Sequence, residues 1–321
     1  MPMVQYGLFS NCSNNCSFCL LRQKKFESMD KILEVIDEVI ENISVVDWEN
    51  QFSDGISLLG GELYFITDKA YQDKFMELID VIIEKILKVS KNPNVKYSTV
   101  TNGIYDPEFL FRVIDKIKNA VGMNKIDVNF SYDIKYRYSN EESRLKVLEN
   151  INKFRERYNY EVGVQMILTQ YLLDAINKGE FDIQDFIKKN IPGCRINLLY
   201  PHRVMTGHDL QDFNLKREDF LVFYSNLPSY DMSIFRQFTD SVINSQMHKH
   251  TGLYYRNMDG VATQPPKLTE GKELKSPQCG HSLLYQCYQD SIKCMLCDML
   301  KIRIDYPRSE RVREVYNAGI R

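Results

Sequence analysis

The chain has no marked excess of either positive or negative charge. Its 41 lysines and arginines stand against 43 aspartates and glutamates, a formal net charge of −2. That balance gives no electrostatic footprint for a nucleic-acid backbone. Long apolar runs are missing as well, and nothing approaches the ~20 consecutive apolar residues of a membrane-spanning helix. The opening Met-Pro-Met-Val-Gln-Tyr lacks the basic segment, apolar stretch and cleavage site of an export signal. There is no low-complexity tract and no internal repeat beyond a strand–helix alternation. What remains is an ordinary globular composition, 44% hydrophobic over 321 residues, enough for one large barrel or two domains. Eight cysteines without an export signal suit metal ligation in a reducing compartment better than disulfides. The expectation is a cytoplasmic metalloprotein.

Three of those cysteines carry the most information. Cys12, Cys16 and Cys19 lie in Asn11-Cys12-Ser13-Asn14-Asn15-Cys16-Ser17-Phe18-Cys19, with gaps of three and two residues. Such spacing puts three thiols on one short loop. A closed structural zinc site or a fully ligated cubane wants four ligands, so three leave one position open. Half of a zinc site is the plainer alternative, but histidine is also scarce and the nearest one, His202, is far along the chain. An odd, tightly spaced trio is a poor disulfide framework.

Short β-rich runs alternate with amphipathic stretches through the first two thirds. Strands are expected at residues 4–8, 55–59, 95–101, 126–133, 162–169 and 195–200. Helices are expected at 29–43 with Ser28 as N-cap, at 75–89, from Pro107-Glu108 to about 117, and from 139 to about 158. Ser139 and Glu142 have capping-box spacing. Repeated strand–helix units imply parallel strands, and six are too few for a closed eight-fold barrel. The fold class is therefore α/β, a partial (β/α)6 barrel with a C-terminal cysteine-rich metal-binding module. The division expected is a barrel at 1–200, a helical extension and linker at 201–278 with helices near 215–226 and 232–249, and the metal module and tail at 279–321. Active residues in parallel sheets collect at the carboxyl ends of strands. The cysteine loop after the first strand and Gly60-Gly61-Glu62 after the second share that rim.

The pattern Cys-x3-Cys-x2-Cys, with Phe18 before the last cysteine, together with Ser57-Leu58-Leu59-Gly60-Gly61-Glu62 one strand–helix unit later, resembles the radical S-adenosylmethionine (SAM) superfamily over roughly the first 200 residues. The resemblance implies a 4Fe–4S cluster on Cys12, Cys16 and Cys19, with S-adenosyl-L-methionine chelating the open iron. Reductive cleavage then gives methionine and a 5′-deoxyadenosyl radical that abstracts hydrogen from a substrate, the hard chemistry belonging to the cofactor. Gly60, Gly61 and Glu62 would bind the methionine ammonium, and a reductant such as flavodoxin or ferredoxin is the implied partner. Thr101-Asn102-Gly103 resembles a family element near the ribose, though it also reads as a simple Asn-Gly turn. Ser131 and Asp133 share one strand face and are similar in place to ribose- or sulfonium-contacting residues; a strand-end Asp that caps the next segment is the competing view. Gln165 and Asn197 face either the barrel interior or solvent at an edge. No residue is singled out as catalytic.

The C-terminal segment carries Cys279, Cys287, Cys294 and Cys297, four cysteines ending in Cys-x2-Cys, a strong metal signal. Structural zinc is one reading. An auxiliary iron–sulfur cluster is placed ahead of it, because Gly280 to Cys294, with a turn at Gln289-Asp290-Ser291, is similar to the hairpin of twitch modules. Cys287 sits inside that hairpin, where the pattern needs no ligand. Elsewhere the plain readings prevail. Cys194 is a small buried hydrophobe, His248 and His250 mark an exposed helix end, and the arginine-rich tail is a solvated helix. Tyr132, Tyr200, Tyr254 and Tyr255 are core, interface or cavity wall.

Auxiliary modules in the family accompany peptide-modifying enzymes, so a peptide or protein side chain is the leading substrate class by analogy. The lack of an N-terminal peptide-recognition domain counts against a typical peptide maturase. The rivals are a radical SAM enzyme acting on a nucleotide, cofactor or other small molecule, and a non-catalytic iron–sulfur or zinc interaction protein. An intact triad with Gly-Gly-Glu argues against the last.

Overall fold

The computed structural model describes residues 4–14, 16, 19, 26–50, 55–199, 216, 219, 222 and 223. Six strands alternate with helices in the order β1 (Val4–Gly7), α1 (Met29–Val45), β2 (Gly55–Leu59), α2 (Lys69–Ile82), β3 (Lys96–Thr101), α3 (Glu108–Val121), β4 (Ile126–Ser131), α4 (Glu141–Tyr158), β5 (Gly163–Ile167), α5 (Gln170–Asn177), α6 (Ile183–Asn190) and β6 (Arg195–Leu199). The strands form one sheet in sequence order, β1 to β6. All five pairings are parallel. Among the described residues β1 and β6 are unjoined edges, so the sheet is the open six-strand partial barrel that the strand count implies.

The two-residue period of a strand divides this sheet into two chemistries. One face reads Ile56–Tyr97–Ile126 across β2 to β4 and Phe130–Val164–Ile196 across β4 to β6. These side chains merge with Val35, Ile36 and Val39 of α1, Phe75 and Leu78 of α2 and Ile114 of α3 into one core. The opposite face reads Ser57–Ser98–Asp127 and Ser131–Gln165–Asn197. A closed eight-strand barrel fills its interior with branched apolar residues; this one mixes hydroxyls, amides and a carboxylate with Leu59, Val100 and Ile167. Asn197 is buried and donates Nδ2 to Asn129 Oδ1 at 2.9 Å. Of the two orientations open to it from the sequence, Asn197 therefore takes the interior one.

Local capping explains most element boundaries. Ser28 caps α1 by accepting the Lys31 N–H, and Pro107 precedes α3. α2 begins earlier than expected because Asp68 accepts the Tyr71 N–H at 3.0 Å, and it ends in one wider turn, Ile83–Leu87. At α4 the cap is Asn140, which accepts the Ser143 N–H at 2.8 Å; the capping box anticipated at Ser139 and Glu142 is displaced by one residue. α5 and α6 were not anticipated, though Thr169 and Asp182 cap them in the ordinary way. The helices expected at 215–226 and 232–249 lie outside the described residues, apart from Lys216, Asp219, Val222 and Phe223. Cys279, Cys287, Cys294, Cys297 and the whole C-terminal module lie outside them too. No helix among the described residues is long and apolar enough to cross a membrane.

Candidate functional site

Parallel strands bring all their carboxyl ends to one rim, and the loops there hold the candidate residues. The thiol loop leaves β1 and is closed at its base. Asn11 donates Nδ2 to the Glu27 carbonyl at 3.0 Å, Glu27 returns its N–H to Asn11 Oδ1 at 2.7 Å, and the Glu27 carboxylate accepts the Ser10 N–H at 2.6 Å. Cys12, Cys16 and Cys19 are free thiols. Cys19 N–H meets the Cys16 carbonyl at 3.1 Å, and the Asn14 N–H points at Cys12 Sγ at 3.3 Å. Burial pushes the Cys12 thiol up, with Glu62 and Cys19 adding to it, and pushes the Cys16 thiol up to about 12, with Cys19 and Cys12 adding to it. Phe18 lies outside the described residues.

The turn after β2 is bolted to this loop. Gly61 N–H donates to the Phe9 carbonyl and Glu62 N–H to the Asn11 carbonyl, both at 2.9 Å. A Cβ on Gly61 would sit 2.0 Å from the Asn11 carbonyl oxygen, so no other residue lets the two loops approach this closely. The bare backbone at Gly61 thus serves loop-to-loop contact. A Cβ on Gly60 would meet only the end of the Leu63 side chain, at 2.7 Å.

Glu62 is 2% exposed. Its carboxylate accepts the Asn102 N–H at 2.6 Å, the Thr101 hydroxyl at 3.0 Å and the Tyr64 N–H at 3.3 Å. Each of these partners is neutral. Burial therefore wins over the hydrogen bonds and raises the carboxyl to about 7. Thr101 is in turn hydrogen-bonded to Tyr105, and Tyr64 shares a hydrogen bond with Tyr97. A buried acid of this kind is stabilised by an incoming cation.

Thr101-Asn102-Gly103 is both a turn and part of the site. Asn102 Oδ1 accepts the Ile104 N–H at 3.1 Å and Gly103 has φ +66°, as an Asn-Gly turn requires. Asn102 also binds Glu62 through its backbone and reaches Cys12 Sγ through Nδ2 at 3.6 Å. Asn150, buried in α4, anchors the same loop by donating Nδ2 to the carbonyls of Gly103 at 2.8 Å and Tyr105 at 2.7 Å. Ser131 and Asp133 are buried at the end of β4. The Asp133 carboxylate is occupied on both oxygens, by the Ile167 N–H at 2.9 Å and by Arg137 Nε at 2.7 Å. The Ser131 carbonyl accepts the Tyr138 hydroxyl at 2.6 Å.

The structure thus gathers Cys12, Glu62, Thr101 and Asn102 into one hydrogen-bonded group. Asp133 joins the thiol loop through Arg137, which touches Cys16. Arg137, Asn150, Tyr105 and Glu27 were not anticipated. Cys194 packs in the core at 3% exposure and burial holds its thiol up at about 12, the inert behaviour expected of it.

The donor set can be tested against the implied groups. Among the described residues no group of three or more His, Cys, Asp or Glu side chains closes on a single metal ion. A cubane spreads its three thiolates over three irons, so convergence on one point is not required of them. The loop, free thiols and adjacent cation-seeking carboxylate fit that larger centre and an ammonium-bearing ligand beside it.

No family model matches the chain, and no curated protein matches it. Among solved structures it is similar to native anSMEcpe with bound AdoMet, with a TM-score of 0.47 and 17% identity over 77% of this chain and 65% of that one. It is also similar to a polyhistidine-tagged form of anSMEcpe with bound AdoMet, with a TM-score of 0.49 and 17% identity over 78% of this chain and 66% of that one. The chain spans just under two thirds of the length of both. The site geometry, not this likeness, carries the functional reading.

Proposed function

We propose that the chain is a radical SAM enzyme that holds a 4Fe–4S cluster on Cys12, Cys16 and Cys19 and receives the ammonium of S-adenosyl-L-methionine at Glu62. The carrying observation is Asn102, whose backbone N–H lies 2.6 Å from the Glu62 carboxylate while its side chain reaches Cys12 Sγ at 3.6 Å. One residue spans the thiol loop and the buried acid, so an ammonium on Glu62 sits beside whatever the thiols hold. When bound, the cluster supplies the electron that breaks the sulfonium C5′ bond of S-adenosyl-L-methionine.

The protein's own part is orientation and exclusion of water. Thr101, Tyr64 and Asn102 hold the Glu62 carboxylate in place by neutral donors, leaving its charge to be balanced by the ligand. Burial makes that balance strong, because a charge-assisted hydrogen bond in a dry site is not diluted by solvent. Gly61 keeps the acid and the thiol loop at fixed separation. The substrate we propose is a peptide or protein side chain, by analogy alone, with flavodoxin or ferredoxin as reductant in the cytoplasm. Cys279, Cys287, Cys294 and Cys297 are proposed, from spacing, to bind a second centre, an auxiliary iron–sulfur cluster.

The deciding experiment is anaerobic reconstitution with iron and sulfide, then incubation with dithionite and S-adenosyl-L-methionine. Stoichiometric 5′-deoxyadenosine and methionine are expected. A protein that binds iron on the triad yet never releases 5′-deoxyadenosine would overturn the enzymatic reading and favour a binding protein.

A further inference from the structure

Cys16 is the most enclosed thiol of the loop, 5% exposed, and a cation stands against it. Arg137 Nη1 lies 4.0 Å from Cys16 Sγ, and the Arg137 carbonyl faces the same sulfur at 3.7 Å. The guanidinium is held from its far side. Its Nε donates to Asp133 Oδ2 at 2.7 Å, and the other oxygen of Asp133 is fixed by the Ile167 N–H at 2.9 Å. The side chains of Arg137 and Asp133 are only 13% and 6% exposed. A buried arginine needs a counter-charge, but a carboxylate placed beyond it leaves the positive end of the pair toward the sulfur. The backbone of β5 fixes the carboxylate, the carboxylate fixes the guanidinium plane, and the guanidinium meets the thiol loop 121 residues away in sequence. The Glu62 charge acts on Cys12, and the Asp133 charge acts on Cys16 less than that of Arg137, which stands in front of it.

We propose that Arg137, held by Asp133, is a positioning residue that donates to the Cys16 sulfur and raises the reduction potential of the centre on the cysteine triad. The proposal rests on the reading of that triad as cluster ligands. Reduction adds negative charge to a cluster already carrying three thiolates, so a fixed cation and an N–H donor at one sulfur favour the reduced form. Burial of the pair keeps solvent from screening the effect. Asp133 is accordingly engaged by the arginine on one oxygen and by the Ile167 N–H on the other.

The test is an anaerobic redox titration of the full-length reconstituted protein, followed by the electron paramagnetic signal of the reduced cluster, with iron counted in every sample. Arg137→Met should move the one-electron equilibrium three- to tenfold toward the oxidised form, the tenfold case being about 59 mV to lower potential. Arg137→Lys keeps the charge and should recover at least half of that shift. Arg137→Gln removes the charge but keeps an N–H donor and should fall between wild type and Arg137→Met. An unmoved potential in Arg137→Met with its full iron overturns the proposal, as does an Arg137→Lys potential equal to that of Arg137→Met. If Arg137→Met retains no iron, the other two variants decide. A lowered potential in Arg137→Gln with Arg137→Lys nearer wild type sustains the proposal, and any other order of the two overturns it. Wild-type protein lacking a cluster on the triad would remove the underlying reading instead, and that result precedes any variant.

Discussion

The backbone N–H of Asn102 lies 2.6 Å from the carboxylate of Glu62, forty residues earlier in the chain. The donor is neutral, so the contact holds the acid without balancing its charge. Burial outweighs that hydrogen bond and raises the carboxyl to about 7, ready for a cation.

The first prediction concerns affinity. Glu62→Ala should weaken S-adenosyl-L-methionine binding by about ten- to a hundred-fold, the equivalent of roughly 1.5–3 kcal/mol for a lost charge-assisted bond. Iron content should stay at the wild-type level. Equilibrium dialysis of reconstituted protein measures both, and an unchanged affinity would exclude the role.

Glu62 also makes stability depend on pH. Its carboxyl is raised in the folded protein above the ordinary carboxylate value. Stability from this group is complete at pH values below the unfolded carboxyl and is lost as pH climbs through about 7. For the metal-free protein the loss is on the order of 3 kcal/mol between about pH 4.5 and pH 8. Urea melts at a series of pH values should show that slope, and Glu62→Gln should flatten it whatever its absolute stability.

Cluster retention should depend on Gly61. A Cβ there collides with the Asn11 carbonyl at 2.0 Å, and backbone cannot step aside as a side-chain tip can. Gly61→Ala should cost about 1–3 kcal/mol of stability and lower iron retention, with Gly60→Ala distinctly milder. Equal behaviour of the two variants in thermal melts and iron assays would refute the contact.

The triad itself is tested by spectroscopy. Replacing Cys12, Cys16 and Cys19 together by Ala should abolish the SAM-responsive paramagnetic signal, and a surviving signal would show that the iron is held elsewhere.

Metal analysis then addresses the C-terminal cysteines. About eight irons and no zinc per chain is the count expected of two 4Fe–4S clusters, whereas about four irons plus one zinc means a structural zinc at Cys279, Cys287, Cys294 and Cys297. About four irons with no zinc would remove the second centre.

The strands and the site cysteines were legible in the sequence because their signals are local. Apolar alternation around Ile56 and Leu58 and the short gaps among Cys12, Cys16 and Cys19 need no knowledge of the rest of the chain. The two overlooked helices show where local signals fade. α5 and α6 are only eight residues each, too short for periodicity to declare itself. Arg137 was illegible for a different reason: no spacing rule links it to Cys16, and only the approach of the β4 loop to the thiol loop brings them together. Asn150 likewise sits in an amphipathic helix as one polar residue among many. The same dependence on tertiary approach explains Gly61, whose contact with Asn11 could not be inferred from a turn motif.

The mutual hydrogen bonds between Asn11 and Glu27, sixteen residues apart, have a consequence for metal uptake. They close the ends of the thiol loop within the protein alone, so the entropy of ring closure is met during folding and not at the expense of ligand binding. On the proposed reading, retention of the cluster is linked to the integrity of an amide–backbone clasp that lies outside the ligand set.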